Sequence, residues 1–150
     1  MQKHTITLAT PLNELDKFDD SVKAYEEALK IQPDYLEVWN NLGKILNKIG
    51  QIDKAVKCYE KAIAINPEYA EAHINLGVTL TELSQLHEAV KCYEKAIAIN
   101  PDYDEAYLNL GIALEKLGQS EEALNSYEQA LVINPDCADA YNNIGYILRG

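Results

Sequence analysis

Four asparagines, Asn41, Asn75, Asn109 and Asn143, recur every 34 residues, each two residues ahead of a glycine and four residues after an acid: Glu37, Glu71, Glu105 and Asp139. A side-chain amide both donates and accepts hydrogen bonds, whereas a carboxylate only accepts them. Repeated at one interval, such pairs suit gripping a peptide backbone or a cationic side chain better than making or breaking a bond. Nothing else in the chain supplies reaction chemistry. There is no Gly-rich phosphate loop, no HExxH, no GxSxG, and no cysteine with a plausible histidine partner. Cys58, Cys92 and Cys137 form no CxxC pair, and His4, His73 and His87 lack ligand spacing. We expect reduced, space-filling thiols, no metal, no cofactor and no enzyme.

The elements that must carry these residues follow from an internal repeat. The run AVKCYEKAIAINP stands at Ala55 to Pro67 and again at Ala89 to Pro101, with ALNSYEQALVINP at Ala123 and SVKAYEEALKIQP at Ser21. Within a unit, Trp39, Leu42, Gly43 and Leu46 fall at helical spacing, as do Ala55, Val56, Tyr59, Ala62 and Ile63 after the break KIGQID. Each unit is therefore a helix pair. The INP sequence stops the second helix, since a residue before proline avoids the helical region and asparagine tolerates a left-handed cap. Glu68, Glu71, Asp102 and Glu105 are expected in the first turn of the following helix, complementing its dipole. Gly43, Gly77, Gly111 and Gly145, costly in a helix interior, are expected to let the first helix approach the second around Ala55, Ala89 and Ala123.

Composition limits the partners. With 47% apolar and 25% charged residues the 150-residue chain should fold. A net charge of −11 disfavours nucleic acid and anionic membranes. No apolar run is long enough to insert in a membrane, and the polar first residues do not read as a signal peptide, so a cytoplasmic location is expected.

The order Trp39, Leu42, Gly43, Leu46, Ala55, Tyr59, Ala62, Pro67, with its echoes, resembles the tetratricopeptide repeat (TPR) over roughly residues 13 to 150. The resemblance implies an all-α, right-handed superhelical solenoid of antiparallel helix pairs. The expected division is 1–18, a degenerate first helix or an irregular arm; 19–35, the second helix of the first repeat; 36–69, 70–103 and 104–137, full repeats; and 138–150, the first helix of an incomplete one. At the end of the chain no partner helix covers Ile144, Ile147 and Leu148, so another chain or a longer protein should do so.

In this family the first helices line the concave surface. Comparing copies within the chain, those helices diverge at Asn40, Ile74, Leu108 and Asn142 and at Lys44, Val78, Ile112 and Tyr146, while the asparagines stay fixed. Residues i and i+4 share a helix face, so stacked repeats would form an amide ladder and a carboxylate ladder. The amide ladder is similar to that in the repeat region of O-linked N-acetylglucosamine transferase. The carboxylate clamp that some members use for acidic chaperone tails is not matched, because Glu105 stands where it needs lysine. The resulting expectation is a non-catalytic scaffold binding an extended, preferably basic, segment of another protein through Asn41, Asn75, Asn109, Asn143, Glu37, Glu71, Glu105, Asn40 and Lys44. The alternatives are a solenoid that forms homo-oligomers through its terminal helices, and the targeting region of a larger enzyme. A structural role for the asparagines, bonding their own acids or bridging neighbouring first helices, stays open beside the ligand role.

Overall fold

The computed structural model describes residues 12–150, which form eight helices and no strand. Two compact units divide the chain, Met1–Asn66 and Pro67–Gly150. The first holds α1 (Leu12–Ile31), α2 (Leu36–Lys48) and α3 (Ile52–Ile65). The second holds α4 (Ala70–Glu82), α5 (Leu86–Ile99), α6 (Asp104–Lys116), α7 (Ser120–Ile133) and α8 (Ala138–Arg149). The all-α class and the pairing of helices are as the sequence suggests. The division at residue 18 is not a break, because α1 runs through it without interruption. The remainder of the expected arm, residues 1–11, lies outside the described residues.

Two kinds of turn alternate. Inside a pair, the chain reverses through a left-handed residue at Gly50 (φ 87°), Ser84 (φ 61°) and Gly118 (φ 81°). Each reversal closes a Schellman motif, in which the N–H of Gln51, Gln85 or Gln119 donates to the carbonyl of Leu46, Leu80 or Leu114 at 2.9 Å. Between pairs the asparagine of INP is extended, not left-handed: Asn66 has φ −141°, Asn100 −135° and Asn134 −131°. Its side chain supplies the turn instead. Asn100 Oδ1 accepts from the Asp102 N–H at 3.1 Å and Asn134 Oδ1 from the Asp136 N–H at 3.2 Å, the Asx geometry that short polar side chains favour. Glu68 and Asp102 consequently stand in these turns, two residues ahead of the first residue of α4 and α6, while Glu71 and Glu105 do occupy first helical turns.

The core is built on small residues facing large ones. Ala55, Ala62, Ala89, Ala96, Ala123 and Ala130 are fully buried, and Tyr59, Tyr93 and Tyr127 are the largest side chains at 2% exposure or less. A Cβ placed on Gly43 would lie 2.6 Å from the Tyr59 ring, one on Gly77 2.5 Å from Tyr93, and one on Gly111 against Tyr127. The glycines therefore make room for the tyrosine rings rather than for Ala55, Ala89 and Ala123. Packing of a buried aromatic offsets the lost helix propensity. In the second unit Ile74, Ala96 and Ala106 form one buried cluster, flanked by Val78, Ile97 and Tyr103. Trp39 and its counterpart His73 both tie a helix to the preceding turn, by Nε1–H donating to the Pro33 carbonyl at 2.7 Å and by Nε2 bonding the Pro67 carbonyl at 2.9 Å. Since a carbonyl only accepts, Nε2 of His73 carries the proton.

Candidate functional site

The first helix of each pair presents the repeated asparagine half-buried: Asn41 on α2, Asn75 on α4, Asn109 on α6 and Asn143 on α8. Their acids are more open. Glu37, Glu105 and Asp139 are exposed, and Glu71, half-buried, accepts from the Tyr69 hydroxyl at 3.4 Å. Lys44 is exposed. Asn40, expected beside Asn41 on the open face, is 1% exposed and so is not available to a ligand. Its equivalent Ile74 is equally buried at 1%, whereas Asn142 at the same position of α8 is exposed.

In the second unit α6 and α8 enclose an open groove of about 510 Å³, lined by Ile112, Glu115, Lys116, Asn142, Asn143 and Tyr146. Of the repeated asparagines in this unit, Asn143 is the one that lines it. Two of the lining residues, Glu115 and Asn143, also meet a buried tyrosine hydroxyl. Tyr127 donates its hydroxyl to Glu115 Oε1 at 2.7 Å, and hydrogen bonding from Asn143 reaches the same hydroxyl. Burial pushes the Tyr127 hydroxyl far above the ordinary tyrosine value, the Glu115 bond and charge add to that, and Asn143 opposes it. Asn143 thus meets a tyrosine of α7, neither its own acid Asp139 nor a neighbouring first helix. One repeat earlier, Thr81 Oγ1 lies 3.0 Å from the Tyr93 hydroxyl and also donates to the Gly77 carbonyl at 2.8 Å.

The field over these helices is negative. Tyr103 is raised by burial first and then by Glu105, Glu71 and Asp104. Tyr93 is pushed up to about 12 by burial, against the pull of Thr81, with Cys92, Glu82 and Glu105 adding to it. Tyr103 packs against the Ile74 cluster. Sequence reasoning missed Glu115 as a groove residue. Its counterparts are Asn47 and Thr81, chemically unlike each other, so no repeated letter marks the position.

The three cysteines are free thiols, and burial with the nearby Glu26 charge raises Cys58 to about 11. Among the described residues no cluster of three metal-ligating side chains exists, and no helix is long and apolar enough to cross a membrane.

Helix pairs repeated at one period, each locked by a glycine facing a buried tyrosine, define a helical-repeat protein. The chain belongs to the tetratricopeptide repeat family: the TPR repeat description matches residues 12–50, 43–84 and 79–118, and the tetratricopeptide repeat description matches 104–137. No curated protein sequence matches. Among solved structures, the crystal structure of MamA is similar over 95% of this chain and 86% of its own, with 28% identity and a TM-score of 0.83. The first TPR of Spaghetti (RPAP3) bound to the HSP90 peptide SRMEEVD is 28% identical, covering 76% of this chain and 90% of that one at a TM-score of 0.74. The Arabidopsis OM64 TPR domain is 30% identical over 76% of this chain and 94% of its own, also at 0.74.

Proposed function

We propose that this chain is a non-catalytic protein-interaction scaffold whose first helices hold an extended, cationic segment of a partner protein. The observation that carries the reading is the α6–α8 groove, which combines a carboxylate, two amides and an exposed tyrosine in one open channel. Amides satisfy a peptide backbone without regard to its side chains. In the second unit Glu71, Glu105, Glu115 and Asp139 favour lysine or arginine in the guest, and Asn75, Asn109 and Asn143 supply backbone contacts. In the first unit Asn41 offers the same contact by itself, with Glu37 and Lys44 on the same helix. The family supports the class of activity, since one similar TPR structure holds a peptide. Binding of roughly micromolar strength, about −8 kcal/mol, is expected, because ordering a flexible peptide offsets much of the contact energy.

Selection from a random peptide-display library tests this. The wild type should enrich lysine- and arginine-containing sequences, and Asn142→Ala/Tyr146→Ala, which alters only exposed side chains, should lose that enrichment while melting like the wild type. Identical selections from both proteins would remove the groove from the function.

A second reading, pairing between copies, is favoured by α8. Tyr141 is 58% and Leu148 71% exposed, and Gly145, unlike the three earlier glycines, has no atom within 4 Å of a Cβ built on it. The α1 helix of a second copy offers Tyr25 at the repeat position of Tyr59. Sedimentation should then show mass growing with concentration, reversed by Gly145→Arg; a monomer throughout would end this reading.

A further inference from the structure

The first unit carries a second cleft, on a different face of α2 from Asn41. It has a volume of about 420 Å³, within the roughly 300–1,000 Å³ of ligand-sized clefts. The floor is apolar, formed by Leu29 of α1, Leu42 of α2 and Cys58 of α3, with the half-buried Trp39 as a wall. Its mouth is basic: Lys30, Lys54 and Lys57 line it, with Glu26 the one carboxylate among the lining residues. Lys30 is already paired with Glu27 at 3.2 Å, whereas Lys54 and Lys57 form no ion pair among the described residues.

Three lysines at one apolar opening stand out in a chain of net charge −11 with 13 basic residues. The internal repeat supplies the comparison. Two repeats on, the same three places hold Ala98, Glu122 and Asn125, so the helical framework itself does not require lysine there. A floor that accepts bulky apolar side chains beneath unneutralised ammonium groups is complementary to one chemistry, an apolar anchor flanked by carboxylates.

We infer that the α1–α2–α3 cleft is a second docking surface, which takes an acidic, amphipathic segment of a partner protein: a leucine or phenylalanine enters against Trp39 and Leu42, and neighbouring carboxylates meet Lys54 and Lys57. This surface is separate from the α6–α8 groove and selects the opposite charge. A scaffold with both would engage two partners of unlike charge, or two segments of one.

Trp39 is the only tryptophan in the chain, so its fluorescence reports this cleft directly. The probe is a short synthetic peptide with leucine and phenylalanine flanked by glutamates, titrated into the whole chain beside a twin with lysine in place of every glutamate. The acidic peptide should give a saturable change in Trp39 emission that weakens as salt is raised, and the lysine twin should not. The exposed pair Lys54→Glu/Lys57→Glu should bind the acidic peptide about tenfold more weakly, as expected from losing two exposed ion pairs and gaining two repulsions. Helicity and melting of that variant should match the wild type, and Asn142→Ala/Tyr146→Ala should bind the acidic peptide normally. An absent response, an equal response to the lysine twin, or undiminished binding by the lysine variant would overturn the inference. So would a response confined to phosphatidylserine vesicles.

Discussion

The Tyr127 hydroxyl donates to Glu115 Oε1 at 2.7 Å, one helical turn past Gly111, the residue whose missing side chain admits the Tyr127 ring. Ring and hydroxyl are thus both held by the facing helix, and the same pairing recurs with Tyr93, Gly77 and Thr81. Close approach and polar anchoring are two parts of one lock.

Adding a methyl group inside that lock should be costly. Gly77→Ala brings Cβ to 2.5 Å from a ring that is 1% exposed and bonded at its far end, so the ring has little freedom to yield. A loss of about 2–3 kcal/mol is expected, at the upper end of overpacking costs. Gly145→Ala is the control: with no atom within 4 Å it should gain about 0.5–1 kcal/mol from helix propensity. Urea unfolding of both variants checks the contrast, and equal effects would refute the role given to the rings.

Ser84 holds a left-handed conformation that its counterparts Gly50 and Gly118 adopt without steric cost. Ser84→Gly should therefore stabilise by about 0.5–1 kcal/mol, the left-handed penalty less the greater chain entropy of glycine. Gly118→Ala should do the reverse. Thermal melts of the two variants decide it.

Stability should fall in alkali. Tyr93 binds its proton more tightly in the folded state, pushed up from 10.0 to about 12, and Tyr127 is displaced further in the same direction. For a group raised on folding, the stabilisation is complete below the unfolded value. It is lost as pH climbs from about 10 through the folded value, at up to about 1.4 kcal/mol per pH unit per tyrosine. Cys58, raised from 9.0 to about 11, contributes the same sign from a lower onset. Urea midpoints measured across this range should decline, and Tyr93→Phe should flatten part of the slope above pH 10.

Asn142 and Asn143 are adjacent yet should respond differently to removal. Asn143 is half-buried and acts on the Tyr127 hydroxyl, so Asn143→Ala should cost about 1 kcal/mol. Exposed Asn142→Ala should stay within about 0.5 kcal/mol of wild type. Chemical denaturation read by circular dichroism separates them, and a neutral Asn143→Ala would remove its structural role.

The helix pairs and the places of their turns were legible because the 34-residue period superimposes several copies of each signal; the INP turn's conformation was not, since its asparagines are extended. Partner identities were less so. Gly43 faces Tyr59 rather than Ala55 because a long helical side chain leans over the turn preceding its own Cα. The ring therefore covers the surface near Ala55, which spacing along the chain does not reveal. Asn40 was misplaced for a related reason: a helix packed on more than one side has no single open face to infer from period alone, and a polar letter concealed a packed position. The Asn143–Tyr127 contact joins successive helices through a tyrosine already assigned to the core, so neither residue advertised the other.

None of the helices α2 to α8 begins with a side-chain cap: Tyr35, Tyr69, Tyr103, Cys137 and three glutamines occupy those positions and leave the first-turn amides to other acceptors. A helix excised from this chain would accordingly be short of both nucleation and local punctuation. Order here is a property of neighbourhood: each added repeat lends its neighbours more than it holds alone, so resistance to unfolding should scale with the number of repeats rather than reside in any one of them.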